Sequence, residues 1–193
     1  MKIFQTLYIK VFGWAQHRHA ARYLAILSFA ESSVFPIPPD VLLAPMVLAR
    51  PNKAWRYALL TTVASVLGGC LGYVLGVFLF STLGEAIIEF YHAEEQFLIT
   101  QQWFAQYGIW VVLIAGFTPL PYKLFTISAG LLGMALLPFV AASVVGRGAR
   151  FFLVAGLIYW GGATLESFLR RYADGIGWGM VVLLGVIYVA VIA

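Results

Sequence analysis

Residues 57–80, YALLTTVASVLGGCLGYVLGVFLF, contain neither a charge nor a proline. A run of that kind is long enough to cross the hydrocarbon layer of a bilayer, which takes about 20 residues at about 1.5 Å each. Inside hydrocarbon only a helix or a closed barrel satisfies its own backbone. A continuous apolar run without period-two alternation selects the helix. Three further apolar regions, 23–49, 109–162 and 175–193, carry most of the remaining chain into the membrane. At 62% hydrophobic and 10% charged residues, the composition excludes an ordinary soluble domain.

The formal net charge of +4 admits nucleic acid as a partner class, but no basic patch with interleaved aromatics is present. The cations gather near span ends, where they meet anionic lipid head groups and set topology. No nucleic-acid partner is expected, and a homo-oligomer is left open. Cys70 is the single cysteine, so no intrachain disulfide framework and no Cys-based zinc site can be built. The histidines His17, His19 and His92 lie in polar surface segments without metal-ligand spacing, so neither metal nor cofactor is expected. Residues 1–22 show no cleavable signal peptide. There Ile3, Phe4, Leu7, Tyr8, Val11 and Phe12 recur at helical spacing among Lys2, Gln5 and Lys10, which predicts an amphipathic helix lying in the interface.

Two of the apolar regions are broken by proline: FPIPPD at 35–40 and TPLPYK at 118–123. Counting cations decides how these regions lie. If 23–49 enters and leaves on one side, then Lys2, Lys10, Arg18, Arg22, Arg50, Lys53 and Arg56 share that side. The linker 81–108, with four glutamates and no lysine or arginine, then lies opposite. If 109–137 is a hairpin as well, Arg170 and Arg171 return to the first side, which the positive-inside rule makes cytoplasmic. The predicted fold is therefore an all-α integral membrane protein whose core, 23–165, holds two repeats, 23–80 and 109–165, joined by that linker. Each repeat is a re-entrant hairpin followed by a transmembrane helix. The N-terminal amphipathic segment 1–22 precedes them, and a loop with a C-terminal transmembrane helix, 166–193, follows.

The halves also match in sequence. The P-x-P of Pro36 and Pro38 aligns with Pro119 and Pro121, setting Asp40 opposite Lys123, and ASVLGG (64–69) aligns with ASVVGR (142–147). Halves entering from opposite sides make an inverted repeat, and paired broken segments in such repeats point to a substrate site near the midplane. Irregular backbone at that depth survives only against protein or water, so the four prolines are expected at hairpin tips lining a shared polar cavity. Into it the sequence puts Glu31, Asp40, Lys123, Arg147 and Arg150. Charges at membrane depth are costly enough to be functional by default. Lys123, Arg147 and Arg150 suit an anionic phosphate group. Glu31 and Asp40 are the candidates for proton coupling, since desolvation favours a neutral carboxyl. Structural alternatives stand beside these roles: Asp40 pairing with Lys123, and the arginines pairing with Glu31 or capping hairpin carbonyls. Tyr122 and Tyr159 read as packing or interface aromatics, and Pro138 as a helix start.

This equipment is that of a transporter moving an anionic lipid, with or without proton coupling. A proton- or cation-coupled carrier of a small solute and a non-transporting scaffold are the alternatives. Enzyme signatures such as a P-loop, H-E-x-x-H or G-x-S-x-G are absent.

The stretches AESSVFPIPPDVLLAP and GFTPLPYKLFTISAGLLGMALLPFVAASVVGRGARFF resemble the DedA superfamily, also described as SNARE-associated Golgi or VTT-domain membrane proteins. The resemblance covers roughly 23–165. It implies two opposed re-entrant hairpins and lipid translocation: of undecaprenyl phosphate in bacterial members, and by phospholipid scrambling in eukaryotic ones. It also implies a multi-pass protein of the bacterial inner membrane, with Glu31 and Asp40 standing where the family has functional embedded acids. Better-known bacterial members carry arginines around the second proline segment where this chain has Phe117 and Lys123, which marks a divergent branch.

Overall fold

The structure, a computed structural model, describes residues 14–15, 17–33, 38–84, 94–118 and 121–162. The amphipathic segment up to residue 13, Pro36, Pro119, His92 and the last apolar region at 175–193 lie outside the described residues. Among the described residues there are six helices and no strand. They are α1 (Ala20–Ser33), α2 (Asp40–Ala49), α3 (Ala54–Leu79), α4 (Glu94–Phe117), α5 (Tyr122–Leu131) and α6 (Leu136–Gly162). Three apolar stretches are long enough to cross a bilayer: Pro51–Thr82, Phe97–Phe117 and Leu136–Gly162. The chain is a membrane protein.

Local sequence sets the breaks between these helices. Proline caps the N-terminus of both 10-residue helices, Pro39 before α2 and Pro121 before α5, and neither end has a side-chain cap. A proline at a helix start gives up only an N–H that would be unpaired anyway. α5 stops in a Schellman turn: the Met134 N–H bonds to the Ala129 carbonyl and the Gly133 N–H to that of Gly130. Gly133 holds the left-handed position at φ 72° that this turn requires. Pro138 then sits in the first turn of α6, as the sequence predicts for a helix start.

Helix directions follow from cross-contacts along α3. Ser28 Oγ donates to the Thr61 carbonyl at 2.8 Å and Ser32 Oγ lies 2.6 Å from Ser65 Oγ, so α1 runs parallel to α3 from the same end. α5 also runs parallel to α3, Tyr122 and Thr126 lying beside Gly69 and Gly130 beside the backbone of Tyr73. α6 runs antiparallel, with Phe139 against Tyr73, Arg147 against Ser65 and Tyr159 against Trp55. α4 starts beside the far end of α3, where Phe97 stacks on Phe80 at 5.2 Å. It ends near the middle of α6, where Leu113 and Gly116 meet Gly146.

Hydropathy reads 81–108 as linker, yet α4 begins at Glu94. The glutamates and glutamines there depress hydropathy but are good helix formers. One of them is used: Gln101 Nε2 donates to the Leu132 carbonyl at the end of α5, at 3.2 Å.

Packing around α3 rests on small residues. A Cβ at Gly68 would collide with the Phe29 carbonyl of α1, and one at Gly72 or Gly76 with Thr126 or the Ile127 carbonyl of α5. Lipid tails are as apolar as leucine, so helices in a bilayer associate through such close backbone approach rather than through hydrophobic burial. The opposite stripe of α3, Leu59, Val63, Leu67, Leu71, Val74 and Phe78, is exposed and suits contact with lipid. Two apolar clusters form inside. One joins Leu24, Leu43, Met46, Tyr57, Phe151 and Ile158. The other joins Val112, Ala115, Tyr122, Ala129, Met134 and Phe139. Between them along α3 and α6 lies a layer of polar side chains.

Candidate functional site

Four helices supply that layer, each through a pair of polar residues spaced i, i+4: Ser28 and Ser32 on α1, Thr61 and Ser65 on α3, Tyr122 and Thr126 on α5, Ser143 and Arg147 on α6. Residues four apart share a helix face, so each helix turns one polar strip inward. Eight buried polar groups in an apolar molecule demand partners, because an unmet donor or acceptor there costs about 1–3 kcal/mol. The hydroxyls find them in backbone carbonyls and in one another. Thr61 Oγ1 donates to the Tyr57 carbonyl at 2.7 Å, Ser143 Oγ to the Phe139 carbonyl at 2.7 Å, and Tyr122 OH to Ser143 Oγ.

Arg147 is the centre of the layer and is only 2% exposed. Its guanidinium forms an ion pair with Glu31, which is itself 12% exposed. Its Nε donates to Ser65 Oγ at 2.6 Å, and Nη2 also reaches Ser32 Oγ at 3.3 Å. Ser32 Oγ in turn lies 3.0 Å from Glu31 Oε2. The rings of Tyr122 and Phe151 cover the guanidinium, their centroids 4.8 and 4.7 Å from Cζ. Cation–π contact of this kind suits a desolvated guanidinium. Nε, Nη2 and both faces of the Arg147 guanidinium are thus engaged by this chain.

Arg150, one turn further on α6, is placed differently. Nη2 pairs with Asp40 Oδ2 at 2.5 Å, and Nη1 donates to the Thr118 carbonyl at 2.5 Å. Asp40 opens α2 immediately after the first proline break, and Thr118 follows α4 at the start of the second. One guanidinium thus ties both breaks together. The two side chains are 16% and 23% exposed, and Asp40 Oδ1 is buried without a hydrogen-bond partner among the described residues.

Of the residues the sequence singles out, Glu31, Asp40, Arg147 and Arg150 come together in two ion pairs. Asp40 takes Arg150, and Arg147 takes Glu31. Lys123 lies half-buried in the first turn of α5, its carbonyl accepting from Thr126 Oγ1 at 2.9 Å. Pro38 and Pro121 flank the breaks and are exposed. Tyr122, read from sequence as packing, is fully buried and belongs to the polar layer through both its ring and its hydroxyl. The serines and threonines escape motif reasoning. Their i, i+4 recurrence within apolar helices is the signal that could have found them.

Helices long enough to span, small-residue packing and a buried charge layer define a polytopic membrane protein with a polar interior. Residues 37–160 match the VTT domain. Over 188 residues, 97% of this chain, it is 44% identical to an uncharacterized protein of Haemophilus influenzae, covering 97% of that protein. It is 42% identical over the same share to an uncharacterized protein of Histophilus somni, covering 98% of it. No solved structure matches. The chain belongs to the VTT-domain, or DedA, family.

Proposed function

We propose that this protein carries an anionic lipid, undecaprenyl phosphate or a phospholipid, across the bacterial inner membrane, with protons exchanged at its embedded carboxylates. The observation that carries this reading is the Asp40–Arg150 pair, which joins residues flanking the two proline breaks near the middle of α6 and leaves one carboxylate oxygen unpartnered among the described residues. A carboxylate held by a guanidinium is an internal stand-in for a phosphate, since the oxygens of both accept from arginine's planar fork of donors. A lipid phosphate entering here would take Arg150 from Asp40, and a proton on Asp40 would cover the charge left behind.

Several features support the architecture this reading needs. α1 and α4 start at opposite ends of α3 and both stop near its middle, and α2 and α5 lead back from there. At about 1.5 Å per residue, the 14-residue α1 spans about 21 Å, short of the ~30 Å core. The short α1 and the return of α2 and α5 support the reading of opposed re-entrant hairpins, although α4, with Phe97–Phe117, is itself long enough to cross. The order of break, 10-residue helix and long helix occurs twice, as an inverted repeat requires. The uncapped N-termini of α2 and α5 both lie beside the arginines of α6, and helix N-termini at the midplane favour anionic groups. The cationic segments Arg18–Arg22 and Arg50–Arg56 lie at one end of the molecule, which supports a cytoplasmic N-terminus.

The reading is tested by reconstituting the purified chain into liposomes carrying fluorescent phosphatidylglycerol or a fluorescent polyprenyl phosphate. Added reductant bleaches the outer leaflet alone. Bleaching beyond the half seen in protein-free liposomes is the expected result. Bleaching that stops at half for both lipids would overturn it, and solute-driven proton uptake in the same vesicles would favour the small-solute reading instead.

A further inference from the structure

The two ends of the molecule carry opposite charge. Arg18, Arg22, Lys53 and Arg56 lie exposed at the end where α1 and α3 begin, and residues 17–30, 50–60 and 151–162 contain no aspartate or glutamate. At the other end, Glu94 and Glu95 open α4. Beside the cations stands an aromatic patch that the polar layer does not use. Trp55, in the first turn of α3, is its hub. It stacks on Phe152 of α6 at 6.0 Å and 19°, tilts against Tyr159 at 6.0 Å and meets Trp160 edge-on at 6.1 Å. Gly156 makes room for this: a Cβ there would come within 3.2 Å of Trp160 Cζ3 and 3.4 Å of Trp55 Cη2, so the two indoles close over bare backbone. The rings nonetheless face outward, Trp55 being 42% and Trp160 75% exposed.

We propose that this patch binds an anionic phospholipid of the leaflet at the cationic end, the rings holding its glycerol and upper acyl chain while Lys53 and Arg56 draw its phosphate. Depth supports this occupant. Trp55 stands two residues before the uncharged run 57–80, and Trp160 two residues before the end of α6, so both lie at head-group level. An indole suits that level, with an apolar ring and an N–H that donates. Charge supports it too, since exposed basic side chains near the surface attract anionic lipid and no acid competes for them here. A second copy of the chain seated by two-fold symmetry would set Lys53 and Arg56 against their own counterparts, which disfavours it. The aliphatic stripe of α3, by contrast, has neither a donor nor a cation and suits only acyl tails. The site shares no residue with the Asp40–Arg150 pair and stands whether or not the chain moves lipid.

The test titrates the purified chain in detergent with phosphatidylglycerol or with phosphatidylcholine of the same acyl chains, counting bound lipid by native mass spectrometry. The wild type should prefer phosphatidylglycerol. Lys53→Gln and Arg56→Gln should each lower its affinity for that lipid about fivefold and leave phosphatidylcholine unchanged. Trp55→Ala with Trp160→Ala should weaken both lipids alike, by about tenfold or more. Val74→Ala, an exposed residue at the far end of α3, should change neither. Arg150→Ala should keep the preference, which separates this site from the one proposed above. An unchanged preference in the two charge variants, or unchanged affinity in the tryptophan variant, would overturn the proposal. So would a dimer that the tryptophan variant dissolves, which would give the patch to a second copy. Wild-type preference in a protein that moves no lipid would keep this site and sink the proposed function.

Discussion

The two ion pairs, one helical turn apart on α6, are built from similar groups and held in opposite ways. Glu31–Arg147 is the more enclosed: two serine hydroxyls and two aromatic rings surround a guanidinium that is 2% exposed. Asp40–Arg150 joins residues flanking the two breaks, keeps partial exposure and leaves one carboxylate oxygen without a partner among the described residues. A buried pair survives only when its remaining donors and acceptors are also met. The first comes nearer to that condition, through Nε and Nη2 of Arg147 and the Ser32 hydroxyl on Glu31, and organises four helices. The second meets it in part, which is what an exchangeable site requires. Embedded charge alone therefore does not mark function; under the proposed function, the completeness of its surroundings separates a strut from an exchangeable pair.

The largest expected effect breaks the strut. Arg147→Ala leaves Glu31 and the Ser32–Ser65 hydroxyls around an empty volume, and should cost about 3–5 kcal/mol in reversible unfolding in detergent. Arg150→Ala should cost about 1–2 kcal/mol in the same measurement, since its partners reach water more readily. Equal losses would erase the distinction between the pairs. Next comes Gly76→Ala, which drives a methyl into the Ile127 carbonyl and lifts α5 from its seat on α3. About 1–3 kcal/mol of destabilisation is expected, read as a lower thermal midpoint. Tyr122→Phe has the smallest effect: the ring stays over Arg147 while the bond to Ser143 is lost, for about 1 kcal/mol. A loss as large as that of Arg147→Ala would mean that the hydroxyl, not the ring, holds the strut.

Much of this was legible in the sequence and some was not. The span at 57–80 follows from hydropathy, and the breaks at FPIPPD and TPLPYK from the chemistry of proline. Glu31, Asp40, Arg147 and Arg150 stand out because charges in apolar segments are rare. Their pairing was half legible: an arginine on Glu31 was among the sequence alternatives, but Asp40 was set against Lys123 and not Arg150, and the partners lie far apart, Arg147 finding Glu31 across 116 positions and Arg150 finding Asp40 across 110. No local spacing encodes such partners; the parallel seat of α1 on α3 and the antiparallel run of α6 create them. That an arginine would cap a hairpin carbonyl was legible, but not that the carbonyl is Thr118's, since a backbone acceptor carries no residue signature. The start of α4 at Glu94 was hidden by glutamates and glutamines, which lower hydropathy without opposing the helix.

The most direct measurement compares lipid translocation by the wild type and by Asp40→Asn, reconstituted at equal folded amounts. The substitution keeps the shape of the side chain and removes only its charge and its proton. The account predicts a thermal midpoint within about 4 °C of the wild type, with translocation slowed by about tenfold or more, equivalent to about 1.4 kcal/mol on the barrier. Translocation at the wild-type rate, or a loss that merely follows unfolding, would contradict it.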